Sequence, residues 1–247
     1  HRDLHSFPTR RSSDLGLGVS TAKSLELDEG WHHFSELIEG CANTQIPRIH
    51  LTPADPALIQ FTGGTTGLPK GALLSHGNVL AGAMQCSLWG STITNFTPIE
   101  KRNLLGIIPY FHIYGNVVGM NWAMLNAATQ VLVPRFELEE VLGTIKRIDQ
   151  ITFFPAVPTM ITAIVNHPKA AEMNMDQRFR FFNSGGAPMP AELIARVNDM
   201  GIYYGEGWGM SETSSLGISN PLLACRTGAI GVPLMENDVR LVDIDTG

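Results

Sequence analysis

From Gly71 to Ile99, and again from Asn103 to Pro134, the chain carries no Asp, Glu, Lys or Arg, and only Glu100, Lys101 and Arg102 separate the two runs. Runs of this kind either cross a membrane or build a sheet that is covered on both faces. A spanning helix needs about 18 or more consecutive apolar residues. In the second run Asn103, His112, Asn116, Asn121, Asn126 and Gln130 recur every few residues, and Pro109 lies among them. No integral membrane segment is therefore expected. Strands covered on both faces read as near-continuous apolar runs. The two runs are expected to supply such buried sheets and the wall of an apolar pocket.

Charged residues make up 16% of the 247 residues and hydrophobic ones 44%. An ordinary domain has roughly 25% charged residues, so what is reduced is surface charge and not core. The net charge of −6 argues against nucleic acid as a partner, which calls for a basic face. Cys41, Cys86 and Cys225 lie far apart with no C-x-x-C spacing. They suit neither a disulfide framework nor a zinc site, and are expected to be buried thiols in a reducing, cytoplasmic setting.

Residues 1–15, HRDLHSFPTRRSSDL, mix both charge signs without any period or apolar stretch, so they are no signal peptide. His5 to Leu15 back-translates, with an allowed codon choice, into a common short-read sequencing adapter. Residues 1–15 are expected to be an artefactual or disordered tail, and 16–247 the folded part.

Beyond a short acidic helix expected at Trp31–Glu39, strands and helices alternate. Strands are expected at Ala57–Thr62, Leu104–Ile108, Gln130–Val133, Ile151–Phe154, Arg180–Asn183 and Gly201–Tyr204, several of them stopped by Pro or Gly. Helices are expected at Asn78–Leu88, Leu138–Ile148, Thr159–Asn166 and Pro190–Asn198. In Leu138–Ile148 the acids Glu139 and Glu140 come first and Lys146 and Arg147 last, which complements the helix dipole. Alternation of this kind implies βαβ units: an α/β fold with mainly parallel sheets and helices on both faces. Ligands in such folds bind where strand ends meet loops.

One loop has the composition of a phosphate cradle. Thr62-Gly63-Gly64-Thr65-Thr66-Gly67-Leu68-Pro69-Lys70-Gly71 follows a strand. Its glycines let backbone N–H groups approach an anion, its threonines add donors, and Lys70 adds a positive charge. It is not a Walker A loop, because Lys70 is followed by Gly71 and not by Ser or Thr.

The string TGGTTGLPKG, with ALLSHGN after it, closely resembles the phosphate loop of the acyl-adenylate-forming (AMP-binding) enzymes. Further segments resemble that family in the same order. Pro109-Tyr110-Phe111-His112 is similar to its aromatic segment beside the acyl pocket, Asn183-Ser184-Gly185-Gly186-Ala187-Pro188 to its adenine-side loop, and Gly207-Trp208-Gly209-Met210-Ser211-Glu212 to its Y-G-x-T-E element. FTGGTTG, EGWGMSE and TGAIGVPL point within the family to the long- and medium-chain fatty-acid–CoA ligases. The resemblance implies that Thr62, Gly63, Gly64, Thr65, Thr66, Gly67 and Lys70 hold the β- and γ-phosphates of ATP. It implies that Gly185, Gly186, Ala187 and Pro188 border the adenine, that Trp208, beside Gly209, stacks on the base, and that the Ser211 hydroxyl meets the α-phosphate. Glu212, with Thr62 nearby, would hold Mg²⁺, a hard cation that takes oxygen ligands. Glu206 is the rival carboxylate. His112 is expected to line or gate the acyl pocket.

The implied function is ATP-dependent activation of a carboxylate, a fatty acid first, to an acyl-adenylate, followed by thioester formation with coenzyme A. No side-chain nucleophile is needed. Adenylation of an aromatic or amino acid and a non-catalytic nucleotide-binding module are the alternatives, and peripheral membrane contact stays open. The family's ribose-binding aspartate, hinge and small C-terminal domain are not found in the sequence. The 16–247 segment is therefore expected to be part of the large N-terminal domain, and the fragment alone to be without ligase turnover.

Overall fold

The computed structural model describes residues 38–39, 41, 48–62 and 69–247, which fall into two units, 1–50 and 51–247. In the first, Ile38 and Glu39 are helical; the 1–15 tail and the rest of the Trp31–Glu39 helix lie outside the described residues.

The second unit begins with a hairpin. β1 (Pro56–Thr62) pairs antiparallel with β2 (Lys70–Ser75), Thr62 lying opposite Lys70. The Gly/Thr loop thus joins two strands, where the sequence suggested a strand, a turn and then a helix. Ser75 ends β2 and opens helix α1 (His76–Trp89) through a capping box: its hydroxyl accepts from Asn78 N at 3.2 Å, and Asn78 Oδ1 accepts from Ser75 N at 3.0 Å. Such reciprocal caps satisfy two donors that the first helical turn leaves free.

A seven-stranded sheet follows, in the order β4-β3-β5-β6-β7-β8-β9. Its strands are β3 (Asn103–Gly106), β4 (Thr129–Leu132), β5 (Ile151–Ala156), β6 (Phe179–Ser184), β7 (Tyr203–Met210), β8 (Ser215–Ser219) and β9 (Val232–Pro233). Pairing is parallel from β4 through β7 and antiparallel from β7 through β9. Helices α2 (Leu138–Arg147), α3 (Pro158–Val165) and α4 (Ala191–Asp199) cover one face. Helix α1 and a π-helical segment, Tyr114–Asn121, cover the other. The π-helix continues as an α-helix over Trp122–Leu125.

Strand alternation feeds both faces. Leu104, Phe153 and Phe181 join the core under α1, while Leu105, Phe154 and Phe182 join the core under α2–α4. On the first face Phe153 and Phe181 stack with centroids 5.6 Å apart; on the second Phe154 meets Phe182 edge-on at 5.5 Å. Consecutive apolar residues are what a two-faced sheet requires, and the α/β fold expected from the sequence is the one observed.

The two charge-free runs differ in burial. The second is largely buried at Leu104, Leu105, Ile107, Ile108, Ile113, Val117 and Val118, although Phe111, Met124, Leu125 and Leu132 are exposed. The first is not: α1 buries only Gly82, Ala83 and Cys86, while Leu80, Met84 and Leu88 are exposed, as are Phe96 and Ile99. The helix meets the sheet along one narrow strip, so lack of charge on its other sides does not amount to burial. The cysteines need a similar correction. Cys86 is buried, and burial pushes its thiol up to about 12; Cys225 is partly buried; Cys41 is exposed.

Phe154 is fully buried between Phe179 and Phe182. Phe154→Ala should lower the stability of the chain by about 3–5 kcal/mol, whereas Phe96→Ser, at a site 87% exposed, should change it by about 0.5 kcal/mol or less. Denaturant unfolding checks both.

Candidate active site

The loops that leave the C-terminal ends of the parallel strands meet in one open cleft of about 700 Å³. β3 leads to Pro109 and Phe111–Tyr114, β5 to Val157 and Met160, and β6 to Gly185 and Gly186, while β7 and the turn after it supply Gly207 and Gly209–Glu212; the end of β1, Gln60–Thr62, closes the side. A wider hollow of about 870 Å³ lies at the other ends of the strands, where Lys101, Arg147 and Arg180 alternate with Glu100 and Asp149. We place the candidate site in the former, because the carboxyl ends of parallel strands are where loops converge on a ligand.

The β7 end is shaped by tight backbone. Gly209 has no room for a side chain: a Cβ there would stand 1.5 Å from Ser215 O. The chain then makes a short 3₁₀ turn, Ser211–Thr213, and reverses through Ser214 and Ser215, whose φ angles are +55° and +93°. Non-glycine residues in that region are strained, and such strain gathers at functional sites. Thr213 Oγ1 ties the turn together, accepting from Met210 N at 2.9 Å and donating toward Met210 O and Ser215 O. Ser211 and Glu212 are thereby held out into the cleft, beside the β1–β2 hairpin. Glu212 is exposed, and among the described residues it is the only Asp, Glu, Lys or Arg that lines the cleft and has no hydrogen-bond or ion-pair partner.

The other walls are fixed as closely. Gln60 Nε2 donates to Phe111 O at 3.0 Å, joining the hairpin to the 109–112 loop. Tyr114 N donates to Nδ1 of the exposed His112 at 3.1 Å, so a neutral His112 ring carries its proton on Nε2. The Tyr114 hydroxyl donates to Asn183, 2.8 Å from Oδ1 and 2.9 Å from the backbone O. Burial holds this phenol far above its ordinary range, so it stays a neutral donor. On the next loop Gly186 has φ +81°, a conformation that glycine adopts without penalty.

Of the residues singled out from the sequence, the cleft brings together Thr62, His112, Gly185, Gly186, Gly209, Ser211 and Glu212. Lys70 lies across from Thr62, whose hydroxyl donates to Lys70 O at 3.2 Å, but does not itself line the cleft. Ala187, Pro188 and Trp208 are also outside the lining. Trp208 alternates to the other side of β7, where its ring is 3.6 Å from the Cβ position of Gly217. Gly63, Gly64, Thr65, Thr66 and Gly67 lie outside the described residues. Glu206, the rival to Glu212, is buried and turned away from the cleft, its Oε1 accepting from Met189 N at 2.9 Å. The sequence reading did not single out Tyr114, Asn183 as its partner, or Met160. A phenol in a charge-free run, two residues after His112, was the one available signal.

A divalent cation fits this donor set in a limited way. Among the described residues no cluster of three or more His, Cys, Asp or Glu could hold a metal by itself. Magnesium, however, is commonly held by one or two carboxylates together with substrate phosphates and water, and one free carboxylate is what the cleft offers.

Comparison with known proteins gives concordant results. The family model described as "AMP-binding enzyme" matches residues 11–247. A long-chain-fatty-acid–CoA ligase of Bacillus subtilis is 32% identical over 195 residues, which cover 78% of this chain and 34% of that protein. A 4-coumarate–CoA ligase of Oryza sativa is 29% identical over 257 residues, covering 100% of this chain and 44% of that protein. The chain therefore spans less than half the length of these relatives. The crystal structure of the N-terminal domain of FACL13 from Mycobacterium tuberculosis superposes with a TM-score of 0.65 at 28% identity, covering 76% of this chain and 46% of that one.

The Tyr114–Asn183 bond invites a direct test. Tyr114→Phe keeps the ring and leaves the buried Asn183 Oδ1 without its donor, which should lower stability by about 1–3 kcal/mol in denaturant unfolding.

Proposed function

The chain belongs to the AMP-binding enzyme family, and from that premise we propose that the complete polypeptide uses ATP to convert a carboxylic acid to an acyl-adenylate, and then to a coenzyme A thioester. The observation that carries this reading is the convergence of Thr62, Ser211, Glu212, the Gly185–Gly186 loop and an apolar wall in one cleft.

The chemistry explains why such a cleft suffices. A carboxylate oxygen attacks the α-phosphorus of ATP, and the bond to the pyrophosphate oxygen breaks. The thiolate sulfur of coenzyme A then attacks the acyl carbon and AMP leaves. Both steps bring anions together, so catalysis consists mostly of positioning and charge neutralisation. Thr62 and Ser211 would donate hydroxyl hydrogens to phosphate oxygens, with the 63–67 loop and Lys70 holding the β- and γ-phosphates. The loop from Gly185 to Pro188, with Trp208, would border the base. Glu212 would hold Mg²⁺, which when bound supplies positive charge to the phosphates. Among the described residues no helix is long and apolar enough to cross a membrane. A cytoplasmic setting is proposed from three cysteines without paired spacing, which suit a reducing compartment.

For the acid, a fatty acid is the leading reading. Ile108, Ile113, Val157, Met160 and Leu216 form the apolar wall. Behind it lies a small apolar chamber of about 30 Å³, bordered by Cys86, Val118, Trp122, Phe153 and Phe181, which shares Asn183 and Leu216 with the cleft. A fatty tail would extend toward that chamber. The Tyr114–Asn183 bond favours a second reading, because it engages Asn183, which borders both cleft and chamber, and a compact aromatic acid would not need to extend past it.

In the complete polypeptide, carboxylate-dependent exchange of pyrophosphate into ATP should be measurable, and Glu212→Ala should lower it by about 10²–10³-fold. ATP binding without exchange for any acid would leave only a nucleotide-binding module. In a series of fatty acids of graded length beside 4-coumarate, Tyr114→Ala should move the preference toward longer chains. An unchanged profile would remove Tyr114 from the determinants of length.

A further inference from the structure

Glu206 is a buried carboxylate that the proposed reaction does not use. It is 7% exposed, on β7, and its Oε1 accepts from the backbone N of Met189 at 2.9 Å. Met189 directly follows the Gly185–Pro188 stretch, so this bond ties the far end of that loop to the strand that carries Ser211 and Glu212.

The position of Glu206 on β7 adds a second tie. Ser184↔Glu206 is the last parallel pair between β6 and β7, and Gly207↔Ser219 is the first antiparallel pair between β7 and β8. At that changeover the Glu206 carbonyl accepts from Asn220 N at 2.9 Å and from Ser219 Oγ at 3.2 Å. Both of those residues are 1% exposed. Backbone and side chain of one residue thus join three segments: the 185–189 loop, the middle of β7 and the β8 end. The Ser184 and Tyr204 hydroxyls are buried beside the Glu206 carboxylate, and burial first, with the nearby Glu206 charge, keeps the Tyr204 phenol neutral. Such a surrounding gives the carboxylate no open path to the cleft, which excludes it as a metal ligand there and leaves it a structural tie.

We propose that Glu206 is a positioning residue for nucleotide binding: by accepting from Met189 N, its side chain sets the spacing between the Gly185–Pro188 loop and the Ser211–Glu212 turn. The proposal rests on the reading of that loop as nucleotide-facing. It requires an acceptor oxygen at this place, not a charge. Glutamine would supply one at nearly the same position, and leucine would fill the volume without it.

The test compares Glu206→Gln and Glu206→Leu in the complete polypeptide with two readouts. Hydrogen exchange at the Met189 amide reads the bond itself, whatever the function. The KM for ATP against the KM for the acid, in pyrophosphate exchange, reads its consequence. With Glu206→Leu the Met189 amide should exchange at least about tenfold faster, the size expected for losing one buried hydrogen bond, while core amides keep their protection. The KM for ATP should rise about tenfold and the KM for the acid stay within about twofold. Glu206→Gln should match the wild type in both readouts. The proposal is overturned if the Met189 amide is unaffected in Glu206→Leu, if both KM values rise together, or if Glu206→Gln is as impaired as Glu206→Leu. Should Glu206→Leu not fold, Glu206→Gln still decides, because its loss of ATP affinity would contradict a role that needs only an acceptor. Absence of exchange in the wild type would instead refute the proposed function, while the Met189 measurement would still report on the bond.

Discussion

Strand β7 is bonded in parallel to β6 along its first half and antiparallel to β8 along its second, and the cleft depends on that change. A parallel strand must leave its sheet through a loop at its carboxyl end, because its neighbour begins at the opposite end. β3, β5 and β6 do so, and residues of their loops line one cleft. β7 continues past them to Met210 because β8 folds back to pair with it. The extra length carries Ser211 and Glu212 beyond the end of β6 and across to the hairpin. Without the antiparallel return, the carboxylate would have no rigid support facing the other loops.

The same change explains the glycines of Gly205-Glu206-Gly207-Trp208-Gly209. At Gly207 a Cβ would lie 2.4 Å from Leu216 Cδ1, and at Gly209 it would meet the Ser215 carbonyl. β8 lies close against β7 on one side while the β6 loop needs room on the other. Glycine at alternate positions lets the strand be approached on that side. The intervening residues still point their side chains the opposite way, Glu206 into the protein and Trp208 over Gly217.

How far the sequence could be read follows from where the structure is decided locally. Strand β3 lies within the run stopped by Pro109, and β4 ends just before Pro134. Helix α2 places Glu139 and Glu140 in its first turn and Lys146 and Arg147 in its last. Consecutive phenylalanines at 153–154 and 181–182 mark two-faced strands, since each face takes one ring. The elements that escaped are those fixed by distant partners. β2 exists because β1 pairs with it, and the glycine-rich β7 continues to Met210 because β8 returns. Neither follows from propensity, which ranks glycine low in strands. The π-helical segment has only weak periodicity of its own and is shaped by packing against α1 and the sheet. In the candidate site the same division holds: residues in short motifs stood out, whereas Tyr114 owes its place to Asn183, far along the chain on strand β6.

Lack of charge carried two meanings that only packing separates. Over Leu104–Ile108 and Val117–Ala123 of the second run it accompanies burial between sheet and helices. In the 71–99 run it lies on the sides of α1 that the sheet does not reach. A residue's polarity reports what surrounds it in the environment where the protein works, while exposure in the described residues reports only the contacts they make with one another. The cleft combines both kinds of surface. Part of its apolar wall, Ile108 and Ile113, belongs to the 103–134 run, and its free carboxylate stands just past the end of a strand whose preceding carboxylate is locked inside. Two acids six residues apart on one strand and its following turn are thus sorted by burial and backbone geometry, with Glu206 committed to holding loops together and Glu212 left free to meet a ligand.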